Sequence, residues 1–208
     1  MKNILCFFSL LLFCLSISAQ VKPIYFYGNQ ITQDKDRATS YAVYGKISTE
    51  DLWTFKRYDL YDNLLQTGSY SDESLTVAHG KFTFYSDINQ FNNQYLERFV
   101  IKGKTRFISQ EGYFDYGKEQ GKWYLFFPDG NIFTSFDFVD GLLHGQLLTY
   151  NRYGVVMLSG NYVKGEKHGE WLLEKGTIRE IWENGVLKSR EQIKKKKNAK
   201  GTITNKNS

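Results

Sequence analysis

A spacing of 24 residues constrains this chain more than any other feature. Gly117, Gly141 and Gly165 are 24 apart, and so are Gly121, Gly145 and Gly169, which sets "GKEQG", "GLLHG" and "GEKHG" in register. Phe114, Phe138 and Tyr162 each precede the first glycine of their set by three residues, and Trp182 keeps that offset to Gly185. Trp123, Leu147 and Trp171 share one position after the second glycine. A unit this short has no room for a core of its own, so the period predicts an array in which each unit buries its apolar side against the next.

The segments between the glycines are strand-like. "KWYLFF", "QLLTY" and "EWLLE" are rich in aromatic and aliphatic residues and end at "PDGN", "RYG" and "KG". Short apolar runs bounded by turn residues read as strands joined by tight turns. Asp129-Gly130 and Asn184-Gly185 predict two-residue hairpin turns, whose backbone needs positive φ. Each unit is then one hairpin. The expected fold class is all-β, an extended antiparallel sheet of stacked β-hairpin repeats with little helix. The first half carries the same grammar in worn form. "LWTFKRYDLYDNLLQTGSY" turns at Asp62-Asn63, and "AHGKFTFY" repeats the histidine-glycine-strand step with Phe82 in the tryptophan position. Between Gly80 and Gly121 the phase slips to 41 residues. The slip is assigned to "SDINQFNNQYLERF", read as a loop or short helix leading into a strand "YLERFVIKG". "PIYFYG" and "SYAVYGKI" add strand without a clear repeat.

The first nineteen residues place Lys2 before an apolar run that ends in small residues, the layout of a secretory signal peptide cleaved after Ala19. The run falls short of the roughly 18 to 20 residues that span a bilayer. Both cysteines, Cys6 and Cys14, lie within this segment, so an exported chain would rely on packing without disulfides. Charge is unevenly divided. From Lys188 onward there are eight Lys or Arg against Glu191 alone, which leaves residues 20–187 with 18 basic and 21 acidic groups. The expected organisation is a leader at 1–19, a β region with degenerate repeats at 20–110, clear repeats at 111–187 and a basic disordered tail at 188–208.

"GYFDYGKEQGKWYLFFPDGN" and "GNYVKGEKHGEWLLEKG" together resemble the MORN repeat, and most closely its bacterial variant, found in small proteins that include antitoxins of toxin–antitoxin systems. "FDFVDGLLHGQLLTYNRYG" departs from it, with Leu147 in place of tryptophan. The resemblance covers residues 112–187 well and 53–85 weakly. It implies a hairpin sheet and says little of function, since related repeats accompany many activities. An antitoxin-like partner protein is one alternative it raises, although a leader would carry such a protein away from a cytoplasmic toxin.

All three histidines precede glycine, at His79, His144 and His168. Equivalent positions two strands apart stand roughly 9 to 10 Å from each other, too far to share a zinc whose nitrogens sit at about 2 Å. These rings are therefore read as turn-bonding residues, with Gln120 filling the same place in "GKEQG". No metal, cofactor or catalytic residues are assigned, and no enzymatic activity is expected. No G-x-S-x-G elbow, phosphate loop or H-E-x-x-H pair occurs. The candidate macromolecule-binding residues are Trp123 and Trp171, which share one stripe, and Lys194, Lys195, Lys196 and Lys197 in the tail. The expectation is an exported, periplasmic or secreted scaffold that binds a protein partner at the cell envelope. The alternative is adhesion to an anionic membrane or polymer through aromatics and tail. Nucleic acid is not an expected partner, because the basic segment lacks stacking aromatics.

Overall fold

The computed structural model describes residues 23–47 and 51–193. The chain forms strands β1 (Ile24–Tyr27), β2 (Gln30–Thr32), β3 (Ser40–Ile47), β4 (Leu52–Asp59), β5 (Leu64–Tyr70) and β6 (Gly80–Asp87), then helix α1 (Ile88–Tyr95). It continues with β7 (Arg106–Asp115), β8 (Lys118–Phe126), β9 (Ile132–Val139), β10 (Leu142–Leu143), β11 (Gly145–Tyr150), β12 (Val156–Val163), β13 (Glu166–Leu173), β14 (Ile178–Glu183) and β15 (Val186–Gln192). All fifteen strands among the described residues belong to one sheet. The order follows the chain from β15 back to β3, then β1 and β2, with the short β10 paired to β9 off the main path. Every pairing is antiparallel. The all-β sheet of hairpins expected from the period is thus the architecture found. The β6–β7 ladder, from Gly80 opposite Phe114 to Asp87 opposite Arg106, makes the degenerate and regular halves one continuous sheet.

Two kinds of turn alternate along the array. At one end, Tyr116-Gly117, Asp140-Gly141, Lys164-Gly165 and Asn184-Gly185 all have positive φ at both residues, matching the right-handed strand twist. At the other end the turns are longer. From Phe127 to Asn131 the Phe127 N–H reaches the Asn131 carbonyl at 2.8 Å and the Gly130 N–H the Phe127 carbonyl at 2.9 Å. There only Gly130 takes positive φ, so Asp129-Gly130 is not the two-residue turn expected. Pro128 explains this, because its ring holds φ negative and favours the opening position of a type I turn.

Other boundaries also differ from expectation. The inserted segment does supply a short helix, but "YLERFVIKG" is not a strand. Residues 97–101 run as irregular chain over the sheet, and pairing resumes only at Arg106. Strand β15 continues to Gln192, so ordered chain extends past the tail boundary expected at 188.

Asp87 caps α1 by accepting the Gln90 N–H at 2.9 Å, and Ile88, Phe91 and Tyr95 fall on one helical face. That face packs on the sheet. Ile88, Phe91, Phe99, Phe107 and Phe127 form one buried cluster, with Phe133 against it. A second cluster gathers Phe26, Ala42 and Phe55 beneath Leu75 and Tyr70.

Candidate functional site

Cross-strand register turns the repeated residues into a single row across one face of the sheet. Direct partners are Phe55 with Gly68, Phe82 with Gly112, Trp123 with Phe136, Leu147 with Gly160, and Trp171 with Glu180. The rings bridge the gaps between these pairs. Phe82 lies over Gly68, Trp123 over Gly112 and Trp171 over Gly160, each so close that a Cβ on the glycine would fall inside the ring's van der Waals envelope. A flanking row completes the packing. Phe114 stands edge-on to Trp123 at 5.2 Å, Phe138 meets the other side of that ring at 5.9 Å, and Tyr162 meets Trp171 at 5.1 Å.

Trp123 and Trp171 therefore do share one stripe. Each is only 2% exposed, so their rings pack glycine backbone and offer a partner almost no surface. The middle unit solves the same problem by exchange. Phe136 occupies the position of Gly112 and Gly160, and Leu147 that of the tryptophans, moving bulk from one strand to its neighbour. A 24-residue offset already displays this swap, although the loss of the tryptophan draws the eye first. The row ends on Glu180, a carboxylate only 4% exposed that meets Arg190 at 3.3 Å and accepts the Trp182 indole N–H at 2.9 Å. Alternation alone reads Glu180 as a solvent-facing strand residue. The compensating Arg190 lies on the next strand, in a segment expected to be tail.

The histidines link successive turns. The Tyr116 N–H donates to His79 Nδ1 at 3.4 Å, the Asp140 N–H to Gln120 Oε1 at 3.0 Å, and the Lys164 N–H to His144 Nδ1 at 3.5 Å. Beside each, the turn glycine donates to the preceding unit's backbone: Gly117 to Ala78 at 2.7 Å, Gly141 to Glu119 at 3.0 Å and Gly165 to Leu143 at 2.7 Å. The fourth step keeps the backbone bond from Gly185 to Lys167 at 2.9 Å, but His168 Nδ1 is buried without a partner among the described residues. The second glycines, Gly121, Gly145 and Gly169, are not in turns. Gly121 and Gly169 lie inside β8 and β13 and Gly145 opens β11, all at positive φ and opposite Phe138, Trp182 and Tyr162 respectively.

At the long-turn end, the structure holds apolar side chains out to solvent. Leu96 is 92% exposed, Val100 91% and Tyr153 81%. The backbone beneath them is braced. Asn92 exchanges two hydrogen bonds with Phe99, donating to its carbonyl at 2.9 Å and accepting its N–H at 2.8 Å. Arg152 spans from the neighbouring turn, 3.3 Å from Glu97 and with its guanidinium 4.6 Å from the centre of the Phe99 ring. Sequence reading missed this cluster because Arg152 and Glu97 are 55 residues apart and share no motif. Lys194, Lys195, Lys196 and Lys197 lie outside the described residues.

No protein-family model matches the chain, and no curated protein matches it.

Proposed function

We propose that this chain is an exported, non-enzymatic β-repeat scaffold that binds a protein partner at the cell envelope. The leader-like first nineteen residues supply the location, and the resemblance to MORN repeats supplies the scaffold class. The observation that carries the binding role is the braced apolar end. Leu96, Val100 and Tyr153 are left in water on backbone fixed by Asn92 and Arg152. The Arg152–Glu97 pair brings the segments that carry these residues to one end of the sheet, and large apolar groups exposed on an ordered surface mark protein contact sites, since burying them in an interface recovers the hydrophobic free energy that folding leaves unused. Preorganisation favours binding further, because little loop entropy remains to be lost.

The test is a photo-crosslinking amino acid placed at Tyr153, with a control at Tyr116, which is exposed at the opposite end of the strands. In the native envelope, the Tyr153 position is expected to give a discrete adduct that disappears when Val100→Asp is added, while the Tyr116 position gives none. Equal labelling from both positions, or no adduct at Tyr153, overturns the proposal.

A further inference from the structure

A second row lies two residues from the aromatic one, on the same face, and it is chemically different. Arg57 pairs with Gln66, Gln66 with Phe84, Phe84 with Gln110, and Gln110 with Leu125. This row runs through two depressions, one lined by Phe84 and the other by its cross-strand partner Gln110. In the first, Arg57 and Gln66 lie among Phe26, Phe55, Tyr70 and Leu75. In the second, Gln110 and Leu125 face α1, which contributes Gln90, Gln94 and Tyr95. Five strands at about 4.8 Å spacing give the row a length of roughly 19 Å, enough for a short polymer rather than one small molecule.

The polar groups along this trough are open. Gln66, Gln90, Gln94 and Gln110 make no side-chain hydrogen bond among the described residues, and none is buried without access to solvent. Arg57 is held in place by neutral acceptors only. Its Nε donates to Ser40 Oγ at 2.9 Å, Nη1 to Asn29 Oδ1 at 3.2 Å, and Nη2 to the Gly28 carbonyl. The guanidinium lies 4.4 Å from the centre of the Phe26 ring, and no carboxylate acts on it among the described residues. Burial lowers its pKa, as expected of a desolvated cation without a counter-ion. These bonds leave N–H groups on the guanidinium without a protein acceptor. The wall above Arg57 is firm. Leu75 rides on a loop cinched by Asp72, whose carboxylate accepts the Ser74 hydroxyl, the Thr76 hydroxyl at 2.7 Å and the Val77 N–H at 2.6 Å. Those bonds hold the Asp72 carboxyl well below the usual range.

We propose that this trough binds a carboxylate-bearing oligosaccharide, with a sugar carboxylate on Arg57 and hydroxyls on the glutamine amides. An extended peptide fits less well, because it gains most of its affinity from backbone pairing at a sheet edge. Here the trough crosses strands β4 to β8 in mid-sheet, where ladder bonds already occupy the backbone. What remains for recognition is aromatic faces, which suit the C–H faces of pyranose rings, and side-chain amides, which both donate to and accept from hydroxyls. The uncompensated cation sets the charge of the ligand. This site is separate from Val100 and Tyr153, so it stands or falls independently of the protein contact proposed above.

The experiment is an array of glycans bearing uronic, sialic and lactyl-ether carboxylates, printed beside their methyl esters and probed with the chain from residue 20 onward. Carboxylated glycans are expected to be retained and their esters not. Gln66→Glu places a carboxylate opposite Arg57, and is expected to reduce retention about tenfold or more while leaving the melting temperature unchanged or raised. Gln94→Leu, on the exposed side of α1, is expected to weaken retention without affecting stability. Failure of every carboxylated glycan to bind, equal retention of the esters, equal binding of poly-glutamate, or full retention by Gln66→Glu would each overturn the proposal.

Discussion

At the scale of single residues, the array rests on glycines that serve as seats for rings. A methyl group on Gly160 would enter the Trp171 ring, which has no room to move between Tyr162 and the adjacent strand. Overpacking of this kind costs about 1–3 kcal/mol, and more where the neighbour is rigid. Gly160→Ala is therefore expected to lower stability by about 3 kcal/mol in urea unfolding. Truncating the partner opens a cavity instead, and Trp171→Ala should cost about 3–5 kcal/mol. The middle unit shows how the two losses can offset each other. Gly160→Phe combined with Trp171→Leu copies the Phe136 and Leu147 pair, and should be less destabilising than the sum of its parts by about 1 kcal/mol or more. Strict additivity in that double-mutant cycle would show that seat and ring are not coupled.

At the scale of elements, three successive steps of the array, at the Tyr116, Asp140 and Lys164 turns, are fastened to the preceding unit by a side-chain acceptor and a backbone carbonyl, and the fourth, at Asn184, by the carbonyl alone. Gln120 performs with an amide what His79 and His144 perform with a ring. His144→Gln is accordingly expected to keep the stability of the parent, whereas His144→Leu leaves the Lys164 N–H without its acceptor and should cost about 0.5–1.5 kcal/mol in thermal unfolding. Equal losses for both variants would remove the hydrogen bond from the explanation. The hairpins were legible in the sequence because their glycines and aromatics recur at a fixed offset, and the period fixes strand pairing directly. The helix was half legible: the phase slip located an insertion, and Asp87 with Ile88, Phe91 and Tyr95 outlines a capped amphipathic turn. The path of the chain beyond the helix was not legible, since residues 97–101 are placed by Asn92 and Arg152, contacts that leave no local pattern. Trp123 and Trp171 were correctly placed in one row, yet their burial depends on rings and glycines contributed by neighbouring strands. Arg57 gave no signal because a cation that meets no carboxylate among the described residues is defined by what is missing around it.

At the scale of the whole molecule, a sheet whose strands follow chain order derives its stability from nearest-neighbour contacts, so its ends are weaker than its middle. The helix sharpens that gradient. The Ile88 and Phe91 cluster covers β7 and the β8–β9 turn, whereas β15 is exposed throughout its length. Hydrogen exchange is expected to be slowest in β6 to β9 and fastest in β15 and β2, with protection falling stepwise from hairpin to hairpin. A single uniform protection factor across all strands would instead indicate all-or-none opening. The fastening of successive turns also gives the repeats a direction, because Ala78 with His79, Glu119 with Gln120, and Leu143 with His144 offer an acceptor pair forward to which the next turn presents its donor pair. A stretch of 24 codons copied in tandem within residues 117–165 would bring both halves of that lock with it. Lineages could then lengthen or shorten the protein in whole steps without redesigning either terminus.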